Sequence, residues 1–329
     1  MPLVNLGRAI GASFFLIGLT ACAAESPNSE NTSVDRARIE GFVTTRDGVD
    51  LYYVEQGAGP EVLVAPVALY LAPHLLEPLS ENRRVIMYDT RHRGRSGAGD
   101  LANVSLDRQV TDLEDLRAAL DIEEMAVLGW SGLGMEMAVY AMRYPDRVTR
   151  LIQMSPVPPA ASMMAEFGDA RSGLVDQVAL DALDARNEAG EFEGRQEEYC
   201  RLRNALTDPS NFVDRALARE VPDVCIYENE WPENLWPFFG ALLPSFGDYD
   251  WRDDIASLET PRLIIHGRED GIPVEGGRAW AAGYENARMV ELSPAGHFPY
   301  IEQRDATLSA IETFLAGDWP ANAAALPAQ

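Results

Sequence analysis

The chain has 329 residues, 52 acidic and 27 basic, giving a formal net charge of −25, and every basic residue is an arginine. The absence of lysine excludes Schiff-base chemistry, a pyridoxal phosphate anchor and a P-loop, and the negative charge opposes contact with phosphate backbones, so no nucleic-acid partner is expected. At 47% hydrophobic and 9% aromatic residues the chain can bury a sizeable core.

At the N-terminus, Arg8 precedes an apolar run over residues 10–19 that closes on Leu19-Thr20-Ala21-Cys22. The run is too short to span a bilayer comfortably, which speaks against an ordinary membrane anchor. The segment resembles a bacterial lipoprotein signal peptide with its lipobox. That resemblance implies removal of residues 1–21, a lipid on Cys22, and a protein held in the bacterial cell envelope facing the periplasm. Residues 22–35 are rich in Ser, Asn and Glu and read as a flexible tether. Cys22, Cys200 and Cys225 are too widely spaced for a zinc pattern, so no metal site is expected. Export would place Cys200 and Cys225 in an oxidising compartment, where a disulfide within one domain is the expectation.

After the tether, residues 41–45 and 51–55 read as strands joined by the turn Asp47-Gly48. Residues 61–66, 85–88, 125–129 and 148–154 are buried-strand candidates, and residues 106–120 and 134–144 carry apolar side chains at helical spacing. From 156 to 250 the strand signals stop, and this stretch reads as an inserted helical cap over the sheet's carboxyl edge. Strands resume at 261–266 and 288–292, with a helix at 305–315. The later strands need the earlier ones as partners, so 36–155 and 251–320 form one core. The class is α/β, a mostly parallel sheet with helices on both faces. The Ala/Pro-rich residues 321–329 are expected to be disordered.

Three motifs carry chemistry. Val127-Leu128-Gly129-Trp130-Ser131-Gly132-Leu133-Gly134 runs from a strand through a serine into a helix, with small residues where a strained turn needs them. Leu133 departs from the G-x-S-x-G pattern. Ile265-His266-Gly267-Arg268-Glu269-Asp270 ends a strand in a loop bearing carboxylates, and Pro294-Ala295-Gly296-His297-Phe298 presents a histidine beyond the next strand. Serine, acid and histidine in that order suit nucleophilic acyl transfer: Ser131 as nucleophile, His297 as base, Asp270 as its orienting acid, with Glu269 as rival for the last role.

These motifs, with Asp89 to Ser96 as a D-x-R-x-x-G-x-S turn, resemble the α/β-hydrolase superfamily over nearly the whole mature chain. Within it the similarity is to prolyl aminopeptidase-like hydrolases, on Ser155-Pro156-Val157-Pro158-Pro159, Tyr227-Glu228-Asn229-Glu230-Trp231-Pro232 and Gly296-His297-Phe298-Pro299. The resemblance implies a cofactor-independent serine hydrolase, acting through an acyl-enzyme on small peptides or amides. Where the family usually carries His-Gly, this chain has Pro66-Val67-Ala68. Proline lacks an N–H, so the oxyanion donors fall to Gly132 and to Ala68 or Val67. Glu228, Glu230 and Trp231 are candidates for binding a substrate's free amine, although an acidic surface explains the glutamates equally well. An esterase or lactonase with the same triad, and a catalytically silent binding protein on this scaffold, are the alternatives. Arg91, Arg93 and Arg95 are expected to brace the fold against carboxylates rather than bind an anion.

Overall fold

The computed structural model describes residues 38–164 and 174–328. The expected signal segment 1–21, the lipidation candidate Cys22 and the expected tether 22–35 lie outside them. Among the described residues no helix is long and apolar enough to cross a membrane.

Eight strands form one sheet: β1 (Ile39–Thr44), β2 (Asp50–Gln56), β3 (Val62–Pro66), β4 (Arg84–Tyr88), β5 (Met125–Trp130), β6 (Val148–Met154), β7 (Arg262–Gly267) and β8 (Ala287–Leu292). Their order is β1-β2-β4-β3-β5-β6-β7-β8. β1 and β2 pair antiparallel, as do β2 and β4, and the rest of the sheet is parallel. The central strands are short runs of Val, Ile, Leu, Met and Ala because both of their faces are covered. β5 and β7 are buried at every position. Alternate side chains of one strand enter opposite cores: Val85 and Met87 pack on one face, Ile86 and Tyr88 on the other.

The helices Leu106–Ala119, Gly132–Arg143 and Arg304–Leu315 form where apolar spacing predicts them. Ser105 caps the first by accepting from the Arg108 N–H at 3.1 Å. The helix Val274–Ala281 carries no sequence signal, since Gly276 and Gly277 weaken its propensity. Both glycines are required by packing. A Cβ on Gly276 would lie 2.8 Å from Pro158, and one on Gly277 2.6 Å from the His266 ring.

Between β6 and β7 the helices Gln177–Glu188, Gln196–Thr207 and Pro232–Leu242 are linked by short 3₁₀ turns. A disulfide joins Cys200 to Cys225, with 5.7 Å between their Cα atoms.

The C-terminal tail corrects the expectation of disorder through residue 328. Ala324 exchanges both backbone hydrogen bonds with Met289, at 2.9 and 2.8 Å, and the Gly283 N–H donates to the Leu326 carbonyl at 2.9 Å. β8 is the sheet's edge, and the tail pairs with the open backbone groups of Met289 there.

Because the disulfide closes a loop of 25 residues, the double substitution Cys200→Ala/Cys225→Ala should lower stability by about 3 kcal/mol. Denaturant unfolding under non-reducing conditions measures this. An unchanged midpoint and slope would show that the bridge constrains nothing the rest of the fold does not already fix.

Candidate active site

Ser131 follows β5 directly and opens the helix Gly132–Arg143, at φ 60° and ψ −131°. A non-glycine residue in this region is strained, and a sharp strand–helix turn imposes the strain. The turn is closed by contacts that only glycine allows: a Cβ on Gly129 would stand 2.2 Å from the Leu133 carbonyl oxygen, and one on Gly134 3.0 Å from Pro156. Gly132 has nothing within 4 Å of such an atom, so its steric demand is nil. Leu133 is accommodated because its side chain packs with Val67, Leu69 and Val224, away from the tight turn.

Three loops at the sheet's carboxyl edge bring the predicted residues together. His297 Nε2 lies 3.0 Å from Ser131 Oγ, and His297 Nδ1 lies 2.9 and 3.0 Å from the two Asp270 carboxylate oxygens. Asp270 and His297 are buried and Ser131 is half-buried. Burial pushes the Asp270 carboxyl up. Interaction with His297, the nearby His266 and the Ile272 N–H outweigh it and leave the group below its ordinary value. Glu269, the rival acid, faces elsewhere: it accepts from the Ser293 hydroxyl at 2.7 Å and the Ala295 N–H at 2.9 Å.

β3 ends beside β5. Leu63 stands opposite Ala126 and Val64 opposite Val127. Val67 turns the chain there with φ 65° and ψ 55°, a left-handed conformation rare for a β-branched residue. Ala68 and Gly132 are first residues of their helical segments, where an N–H has no carbonyl one turn earlier. Asp89 holds this turn by accepting from the Leu69 N–H at 2.9 Å, and burial pushes its carboxyl up to about 6.

The predicted amine-binding residues are placed differently from expectation. Glu230 is buried, but both its oxygens meet the Arg93 guanidinium at 2.9 Å and one also takes the Gly94 N–H at 2.8 Å. Glu228 is exposed, and the Trp231 indole is tied back to the Cys225 carbonyl at 2.8 Å. The other arginines of that loop are likewise engaged, Arg91 with Asp112 and Asp47, Arg95 with Glu40.

Two residues that sequence reasoning did not single out support the histidine. The Trp130 indole donates to the His297 carbonyl at 2.8 Å, its ring 5.0 Å from the imidazole. Glu302 accepts from Gly296 N–H at 2.5 Å and from Val213 N–H at 2.8 Å, pinning the histidine loop to the segment before β7. Trp130 was readable as the residue before the serine, whereas Glu302 gave no signal. A cavity of about 300 Å³ opens onto His297, walled by Tyr70, Trp130, Asp208, Glu230, Trp236 and Phe298 among others.

The Arg93–Glu230 pair generates a prediction. Glu230→Gln leaves a desolvated guanidinium without its countercharge, and stability should fall by about 3–5 kcal/mol. Thermal and denaturant unfolding check it. A loss below 1 kcal/mol would mean that the pair is hydrated in solution.

The chain matches the family model described as alpha/beta hydrolase fold over residues 58–303. It is 27% identical over 273 residues to a bifunctional esterase/perhydrolase of Acinetobacter calcoaceticus, covering 78% of this chain and 92% of that protein. It is 24% identical over 298 residues to a proline iminopeptidase of Heyndrickxia coagulans, covering 84% and 98%. A hydrolase crystal structure from Pseudomonas aeruginosa superposes with a TM-score of 0.62 at 23% identity, over 84% of this chain and 98% of that one. The sheet order, the strained serine turn and the match over residues 58–303 have one reading: this chain belongs to the α/β-hydrolase family.

Proposed function

We propose that the protein is a serine hydrolase of small carboxylic esters or amides, working through an acyl-enzyme. The observation that carries this is the unbroken hydrogen-bonded line from Asp270 through His297 to Ser131. It also argues against a silent scaffold, which has no need to hold three strained or buried groups in contact. In this reading Ser131 Oγ attacks the substrate carbonyl while His297 Nε2 takes its proton. The N–H groups of Ala68 and Gly132 receive the oxyanion. The intermediate collapses as His297 returns the proton to the leaving alcohol or amine. Water then enters, gives a proton to His297 and splits the acyl-serine ester, and the proton returns to Ser131. Asp270 keeps Nδ1 protonated and stabilises the imidazolium that forms in each half.

The narrower reading, an aminopeptidase that holds its substrate's amine on cap glutamates, loses its first support, since Arg93 already neutralises Glu230. The relatives divide in the same way, one being an esterase/perhydrolase and another an iminopeptidase. A location in the cell envelope is part of the proposal. It draws on the lipobox ending in Cys22 and on the Cys200–Cys225 disulfide, a bond suited to an oxidising compartment.

A fluorophosphonate probe should label the wild type and leave Ser131→Ala unlabelled, and short-chain aryl esters should show a burst of released phenol. Asp270→Asn should lower kcat by about 10⁴-fold. Wild-type protein that neither labels nor turns over esters or anilides would return the silent scaffold to first place. For the envelope, Cys22→Ala should abolish incorporation of an alkyne-tagged fatty acid in bacteria expressing the full chain; incorporation that persists would exclude this lipid site.

A further inference from the structure

One carboxylate lining the cavity beside His297 has no ion pair among the described residues. Asp208 opens the 3₁₀ turn Asp208–Asn211, and the Asn211 carbonyl accepts the His297 backbone N–H at 2.8 Å. The carboxylate is therefore carried on the cap segment that touches the histidine loop, and it lines the same cavity as the imidazole.

The cations near it are committed elsewhere. Among the described residues Arg93 pairs with Glu230 and Arg203 with Asp184, while Arg201 pairs with Glu197 and Asp223. Arg219, in the next 3₁₀ turn Arg215–Glu220, pairs with Glu220. Asp208 makes no ion pair among the described residues, and burial pushes its carboxyl up to about 7, with no neighbouring cation to offset it. A group in that state gains from any ligand cation that enters, because the cation restores what desolvation removes. The remaining walls suit a cation as well. Tyr70 and Trp130 bring aromatic rings to the wall, and the Trp236 ring already carries the Arg203 guanidinium 5.0 Å from its centroid, the kind of contact an ammonium group makes in a partly dry cavity. At about 300 Å³ the space is at the small end of ligand pockets.

We infer that Asp208 anchors the positive end of the substrate, so that the enzyme takes small acyl compounds carrying an ammonium group. The inference rests on Ser131 being the nucleophile, since the reacting carbonyl must then lie at His297 with its charged end toward Asp208. It moves the amine-binding role from Glu230, whose charge is spent, to a carboxylate that no sequence motif marks.

The test is protection of the wild-type enzyme from fluorophosphonate labelling by n-butylammonium and, separately, by n-butanol, which match in size and differ in charge. An ordinary alkylamine is protonated at pH 8. The ammonium ion should protect at a concentration lower than the alcohol by about tenfold or more, the scale of a hydrogen bond to a charged group. That ratio should collapse toward one in Asp208→Asn and in Asp208→Ser, and survive in Asp208→Glu. Reading the ratio within each variant cancels differences in labelling speed, and two neutral side chains of different size guard against a folding defect in either. Equal protection by the two ligands in the wild type, or a ratio that persists in both neutral variants, overturns the assignment. A wild type that does not label at all is a different failure, that of the nucleophile itself.

Discussion

The site depends on the parallel pairing of β3 with β5. At this pair the sheet changes direction: β4 and the β1–β2 hairpin extend from one side of β3, and β6, β7 and β8 extend from the other side of β5. Connections leave the two strands toward opposite faces, which opens a crevice at their carboxyl ends. Two residues in left-handed backbone conformations, Val67 and Ser131, sit on either side of it. Neither conformation is favourable in isolation. Each is held because a central strand enters it and a helical segment leaves it, and a one-residue slip in the β3–β5 register would turn every core side chain of the strand to the wrong face.

The segment between β6 and β7 is tied to the histidine loop and to the loop after β4 by backbone and side-chain hydrogen bonds alike. Asn211 accepts the His297 N–H, and Glu302 takes N–H groups from Gly296 on the histidine loop and from Val213 and Asp214 on the cap segment. On the opposite wall Arg93 and Gly94, which follow β4, grip Glu230 on the cap. Asn229 adds hydrogen bonds to the carbonyls of Gly94 and Ser96. The disulfide then ties the helix Gln196–Thr207, which supplies Arg203 and Asn204 to the cavity, to the turn just before Glu230. Displacing this segment therefore disturbs the backbone hydrogen bonds that position His297.

The six parallel-sheet strands β3 to β8 were legible because short apolar runs between turn residues leave few alternatives, β1 and β2 because the turn Asp47-Gly48 joins them as a hairpin, and Ser131, Asp270 and His297 because each follows a strand. Glu269 and Asp270 are adjacent and chemically alike, and only the path of the loop decides that the first meets Ser293 and the second His297. The cap gave no such pattern. Its glutamates invited an amine-binding role, but the partner that cancels Glu230 lies 137 residues earlier in the chain, and no local spacing reports it. Asp208 gave no signal for the same reason: its lack of an ion pair among the described residues is a property of the folded surroundings. The tail was misread because composition describes a chain's own preferences, while the unpaired edge of β8 supplied the reason to order it.

An all-arginine cation set makes that accounting possible. A guanidinium presents a rigid fork that meets a carboxylate at two points, so a buried arginine can be fully satisfied by acids. Arg83 is shared between Glu61 and Glu312, Arg91 between Asp112 and Asp47, and Arg93 is closed on Glu230. Acids outnumber arginines nearly two to one, and an exposed carboxylate without an arginine partner stays in water at little cost. One kept half-buried in the cavity without an ion pair costs more. Such a cost persists in a folded protein where a ligand removes it. The arginines thus mark out the acids they hold in the fold, and Asp208, which makes no ion pair among the described residues, is not one of them although it lines the cavity beside His297.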